Sequence, residues 1–463
     1  MSKKIRLRSF ISYPHFLSCF CLKSHITYDT LFSRFKQMKQ FKKNGVQIQS
    51  KSTIPQHKLV VRFDFTLRRT FMKKTWLLGF GFFSISLGWS LYNGFVPFFL
   101  DNFITSTALI GFLMTIDNYI ALFLQPYIGQ LSDRTRTRFG RRMPYLLVGV
   151  PLAALFYTLI PLHTGLVSLL IFMLCMNLSM AIFRSPTIAL MPDITPEREQ
   201  TKANGIINFM GGCGAILAFS IGSLLFSLNE ALPFLAVSVT FLITLWIVYK
   251  NINEPRDALS YTDTTVPKIN YREELNASTL FLLAAIFFWF IAIQGMEALF
   301  TLYGVNELGL SRSASAFSLT FFSLSFVVFA IPSGILGAKI GKKNVIIAGV
   351  IGLIISFLLL NWVESVIYLR AILFLGGIFW AFVNINAYPF IVSTGSAKSF
   401  GTRTGLYYLV SSLAAITSPP TLGYLIDLFG FSVLFLAAAG SLILALIFIS
   451  RVNEHESQAL GSS

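Results

Sequence analysis

A membrane-crossing helix needs about 20 mostly apolar residues, because in hydrocarbon every backbone polar group has to be satisfied within its own helix. Runs of that kind recur twelve times along the chain, near 76 to 100, 108 to 130, 143 to 163, 165 to 190, 204 to 228, 231 to 249, 278 to 302, 312 to 337, 344 to 362, 365 to 392, 403 to 427 and 430 to 450. The pattern predicts an all-α membrane protein. Its longest polar interval after the N-terminal extension is 251 to 276, with Glu254, Pro255, Asp257, Asp263, Glu273 and Glu274. This stretch falls between the sixth and seventh spans and divides the chain into an N-terminal six-helix half, 72 to 250, and a C-terminal one, 277 to 451.

Loop charge sets the expected orientation. With a cytoplasmic N-terminus, the inner loops hold Arg134, Arg136, Arg138, Arg141, Arg142, Lys202, Lys250, Lys339, Lys342, Lys343 and Arg403 among others, whereas the outer side holds only Arg312 and Arg370. The positive-inside rule then puts both termini in the cytoplasm. That includes the short tail, 452 to 463.

Composition narrows the picture. Charged residues make up 12% of the chain, against roughly 25% in soluble domains, which argues against a water-soluble enzyme. The net charge of +17 comes mostly from residues 1 to 74, with 17 basic and 2 acidic side chains. A nucleic-acid partner is therefore not expected. Residues 1 to 71 read as a basic, disordered extension, or as sequence upstream of a true start near Met72. Four cysteines without paired C-x-x-C spacing suggest neither a disulfide framework nor a metal site. No phosphate-cradling G-x-x-x-x-G-K-[ST] occurs, so ATP is not the expected energy source and no cofactor is implied.

One loop occurs twice. Gly129-Gln-Leu-Ser-Asp133-Arg134 with Gly140-Arg141-Arg142 follows the second span, and Gly334 through Lys339 with Gly341-Lys342-Lys343 follows the eighth. The same element at the same place in each half indicates an internal duplication, hence two pseudo-symmetric halves with a site between them. A weaker echo pairs Pro186 and Gly205 with Pro389 and Gly405. The glycines allow close helix approach and the basic residues sit in the headgroup layer, as a conformational-switch loop requires.

These residues resemble the loop between helices two and three of the major facilitator superfamily. More narrowly, Gly88-Trp89, Gln125-Pro126, Arg138-Phe-Gly-Arg141-Arg142-Met-Pro144 and Ser185-Pro186 through Pro192-Asp193 resemble the glycoside and sugar cation symporters, especially bacterial relatives of solute carrier family 45 and the plant sucrose symporters. The resemblance covers residues 75 to 451. It implies the twelve-helix fold, alternating access, a small-molecule solute and protons as partners within a lipid bilayer, a monomer, and no enzymatic activity. Two departures qualify what it implies. The paired aspartates of melibiose-type sodium symporters are Gln125 and Ala121 here, and the arginine that sucrose symporters place after the helix-four proline is Ile188. The resemblance thus carries neither sodium coupling nor sucrose itself.

An ionisable side chain near the bilayer centre opposes insertion by about 2.5–3.5 kcal/mol, so such residues are functional candidates. Asp117 in the second span and Glu297 in the seventh are the proton-coupling candidates, and Arg184 in the fourth is a counter-ion or a sugar-hydroxyl donor. Sugar recognition needs an aromatic face and several hydrogen-bonding groups. Trp89, Tyr92 and Asn93 supply these on the first span, Asn118 and Gln125 on the second, Asn177 on the fourth, Gln294 on the seventh, and Asn384 and Tyr388 on the tenth. The leading expectation is proton-coupled sugar symport at the cell membrane. The alternative is a proton-linked exporter of drugs or metabolites. Such exporters commonly carry a glycine-proline motif in helix five, where this chain has Gly205, Gly211, Gly212, Gly214 and Gly222 but no proline.

Overall fold

The computed structural model describes residues 56–254, 277–393 and 400–452. The chain divides into a unit Met1–Arg68 and a unit Arg69–Ser463, and the second carries the membrane region. Residues 1–55 of the basic extension, 255–276 of the expected linker and 453–463 of the tail lie outside the described residues.

Eleven helical segments are long and apolar enough to cross a bilayer. The first span, within Gln56–Asp101, completes the set of twelve, its apolar run being diluted by Ser84, Ser86, Ser90, Tyr92 and Asn93. That helix is described from Gln56 onward. No proline interrupts it before Pro97, so helix can propagate from the apolar stretch back into Leu59-Val60-Val61.

The second span, Thr107–Arg134, carries a break. It is two helices, Thr107–Met114 and Ile116–Arg134, interrupted at Thr115. Thr115 takes φ −92° and ψ −1° and turns its hydroxyl back onto the Phe112 carbonyl, a local diversion of the kind that kinks helices. The remaining spans are Met143–Leu159, Leu166–Ile194, Glu197–Leu228 and Leu232–Asn251 in the first half. The second half comprises Ala277–Asn306, Arg312–Ile340, Lys342–Leu360, Val366–Ser393, Phe400–Phe429 and Val433–Ser450.

Each half has its own apolar core. Tyr92, Phe95, Phe99, Phe234 and Phe241 centre the first, and Trp289, Phe300, Phe357 and Phe435 the second. Polar side chains are buried between helices, among them Asn177, Ser315, Ser333 and Asn386, while Phe123, Leu228 and Ile331 point outward at more than 70% exposure. That inversion is what a lipid surround favours.

The duplication is visible in the packing. Gly149 meets Ser179 and Phe183, and Gly349 meets Phe379 and Val383, so residue n of the fourth span matches n + 200 on the tenth. Arg184 thereby falls on Asn384. Pro186 falls on Asn386, one turn short of Pro389, so the echo between those prolines is out of register.

The halves are tied together at the end opposite the basic loops. Asp427, near the end of the eleventh span, accepts hydrogen bonds from Ser106 Oγ at 2.7 Å and from the backbone N–H of Thr107 at 2.6 Å and Ala108 at 3.0 Å. It thereby caps the start of the second span. Close backbone approach at Gly111 and Gly423 leaves no room there for a Cβ. Arg312 reaches Glu230 at 3.3 Å and Asn102 at 2.7 Å across the same junction. Toward the other end, Gly205 and Gly405 face open space.

Candidate functional site

The interruption at Thr115 places Asp117 in the first turn of a new helix. Its carboxylate lies against the N–H groups of Asn118 and of Asp117 itself, and accepts from Asn118 Nδ2 at 3.0 Å. A helix start carries partial positive charge, so an acid placed there can be held within the membrane. Arg184 is its charged neighbour. The guanidinium of Arg184 stands 5.8 Å from the Trp89 ring centroid, a cation over an aromatic face.

Trp89 meets Tyr92 edge-on at 5.7 Å, and Asn177 Nδ2 donates to the Tyr92 hydroxyl at 3.5 Å. Five of the sequence-derived residues, Trp89, Tyr92, Asp117, Asn177 and Arg184, therefore form one cluster inside the first half, with Asn118 at its edge. Two buried polar atoms in it, Trp89 Nε1 and Asn177 Oδ1, have no hydrogen-bond partner. One is a donor and the other an acceptor, and a buried polar group left unpaired is costly. Both charged members keep partial solvent exposure.

Glu297 joins the halves. Asn93 Nδ2 on the first span donates to its Oε1 at 3.5 Å. Further along that helix face Thr301 is buried with an unpartnered hydroxyl. The side chains of Gln125, Gln294 and Asn384 form no hydrogen bond among the described residues and remain partly exposed. Tyr388 lies apart from the charged cluster, bonded to Thr404 Oγ1 at 3.1 Å and packed on Tyr407 at 5.5 Å and Tyr408 at 6.2 Å. Sequence reading missed Tyr407 and Tyr408 because aromatic residues in an apolar span carry no pattern that separates a wall from lipid contact. It also missed Tyr157, whose hydroxyl donates to the Gly88 carbonyl at 2.9 Å beneath Tyr92.

Both copies of the repeated loop turn at a positive-φ glycine, the first within residues 135–142 and the second at the single residue between Ile340 and Lys342. Gly140 has φ 109° and Gly341 φ 91°, a region that disfavours side-chain-bearing residues. In the first half, Arg142 donates to both Asp193 and Asp133, to Ser132 and to the Gly129 carbonyl, its Nε lying 3.1 Å from Asp193. Arg141 pairs with Asp193 at 2.5 Å. Glu254, only 1% exposed, accepts the backbone N–H groups of Arg141, Arg142 and Met143 at 2.9–3.0 Å. In the second half, Lys342 donates to the Pro389 carbonyl at 3.1 Å and to Ser393 at 3.3 Å, and Lys343 to the Val452 carbonyl at 2.7 Å. Arg134 is exposed and Gly334 has room around it. Asp193 was legible as the end of the helix-four motif, whereas Glu254 had read only as part of a polar linker.

The family model described as Major Facilitator Superfamily matches residues 78–320 and 305–462. A class H tetracycline resistance protein from Pasteurella multocida is 25% identical across 61% of this chain and 71% of its own length. A sucrose transport protein from Oryza sativa subsp. japonica is 26% identical across 30% of each chain. In fold, the chain is similar to a bacterial homologue of the human lysosomal transporter Spinster, crystallised inward-facing and occupied, with TM-score 0.69 and 14% identity over 83% of this chain and 98% of that one.

Proposed function

From the premise that the chain belongs to the Major Facilitator Superfamily and is a multi-pass membrane transporter of a small solute, we propose that it carries a sugar or glycoside together with a proton. The observation that carries this reading is the cluster around Asp117, where an acid at a helix start, a guanidinium, an indole face and two unpartnered buried polar atoms meet. A hydroxyl-rich solute supplies donors and acceptors together, and a sugar ring stacks on an aromatic face. Asp117 holds the coupling proton, Arg184 competes with it for the carboxylate, and the solute bonds to Asn177 and Trp89. Glu297, shared with Asn93 across the halves, reports solute binding to the second half.

With both termini in the cytoplasm of a cell-membrane protein, the closed junction at Asp427 is the outer gate and the open end faces inward. Moving to the outward state then requires Asp427 to release the second span while the inner ends of the halves come together. The protein works as a monomer, since both halves of the site lie in one chain.

The tetracycline resistance relative covers more of this chain than the sucrose transporter does, and that favours a second reading, proton-linked export. The two differ in the sign of proton movement. In right-side-out vesicles, adding the solute outside a symporter alkalinises the medium. An exporter gives no such signal, but produces resistance to its cargo in intact cells. A counterflow screen with purified protein across labelled mono- and disaccharides identifies the cargo. No counterflow with any sugar or glycoside overturns the symport reading.

A further inference from the structure

Two arginines lie at the outer end in the proposed orientation, and their surroundings differ. Arg312 is neutralised by Glu230 and bonded to Asn102. Arg370, one turn inside the tenth span, has no carboxylate within ion-pair distance among the described residues. Its Nε makes a single long hydrogen bond to Ser318 Oγ at 3.4 Å, and the guanidinium rests 5.1 Å from the Phe317 ring centroid and 5.7 Å from that of Phe321.

A cation this close to a helix start gains nothing from the helix dipole, and the matching position on the fourth span is Leu170. The charge is thus an addition to the repeat. It stands at a groove of about 670 Å³ between the eighth and tenth spans, walled by Phe321, Ile367, Ala371, Phe374 and Leu375. Ile367, Ala371 and Leu375 recur every fourth residue and are exposed, and the matching Val167 and Ile171 on the fourth span are exposed and apolar. This periodicity marks a face turned to lipid rather than to the other half.

We propose that this groove is a binding site for an anionic phospholipid, its phosphate on the guanidinium of Arg370 and an acyl chain along the Phe321–Phe374 wall. The charge has no carboxylate partner among the described residues, a phospholipid leaflet supplies phosphate at the depth of a helix end, and an unneutralised guanidinium beside an apolar wall matches a phosphate head group joined to an acyl chain. The aromatic faces hold the guanidinium without neutralising it, which leaves its Nη donors for a bidentate phosphate contact.

The test uses the full chain purified in mixed micelles with dioleoylphosphatidylglycerol or dioleoylphosphatidylcholine, scored by native mass spectrometry for retained lipid and by thermal midpoint. Phosphatidylglycerol should be retained and raise the midpoint at concentrations where phosphatidylcholine does neither. Arg370→Leu, which copies the first half, should weaken retention at least tenfold, Arg370→Lys less, and Ala371→Phe, which fills the groove, about as much as Arg370→Leu. Should Arg370→Leu fail to fold, Ala371→Phe and the comparison of the two lipids still decide. Equal retention of the two lipids, unchanged retention in the folded variants, or an equal midpoint rise from inorganic phosphate alone overturns the proposal.

Discussion

The two copies of the basic loop share a positive-φ glycine and differ in what they hold. In the first half, Arg141 and Arg142 engage Asp193, Asp133 and Glu254, all carboxylates and two of them buried. In the second, Lys342 and Lys343 reach the carbonyls and a hydroxyl at the ends of the tenth and twelfth spans. A buried ion network holds only while every member is present, because removing one strands the others. Carbonyls at a helix end can instead turn to water. Duplication thus left one corner held by buried ion pairs and one held by carbonyls and a hydroxyl.

Breaking the ion-paired corner should have the largest effect. Arg142→Ala takes from buried Asp193 one of its two guanidinium partners and removes the donor to Asp133, Ser132 and the Gly129 carbonyl, and should cost about 3 kcal/mol, read as loss of folded protein in detergent or a lowered thermal midpoint, while Lys343→Ala should cost about 0.5–1.5 kcal/mol. Equal losses would remove the contrast. The glycines sharpen it further. Gly140→Ala and Gly341→Ala share the same unfavourable φ, but a Cβ at 140 also meets the Glu254 carboxylate, whereas the space at 341 is open to 3.6 Å from Asn344. Gly341→Ala should cost about 1 kcal/mol, and Gly140→Ala clearly more in the same melt.

The junction at the other end gives the smallest effect. Asp427 is exposed, so Asp427→Asn should cost only about 0.5–1 kcal/mol of the closed state. That is a few-fold rise in labelling of a cysteine placed on the sealed side of the site, with little change in midpoint. An unchanged labelling rate would mean that the cap does not hold the junction closed.

Span number, the division into halves and the repeated loop were legible because the lipid requirement and the positive-φ glycines leave marks in sequence. Asp117, Arg184, Trp89, Tyr92 and Asn177 were legible as intramembrane polar residues, and they converge. The break at Thr115 was not, since a threonine in an apolar run reads as continuing helix until its hydroxyl is seen returning to Phe112. Asp427 and Glu254 were equally opaque. Each acts on backbone N–H groups more than 100 residues away, a distance that no local pattern records. Gln125, Gln294 and Asn384 had the right chemistry but found no partner among the described residues.

Asp117 offers the most direct test of proton coupling. In proteoliposomes with an imposed pH difference, the wild-type protein should concentrate its solute, and Asp117→Asn should abolish concentration while solute exchange between the two sides continues. If Asp117→Asn still accumulates solute to the wild-type level, or if the wild type does so with the pH difference collapsed, Asp117 does not carry the coupling proton.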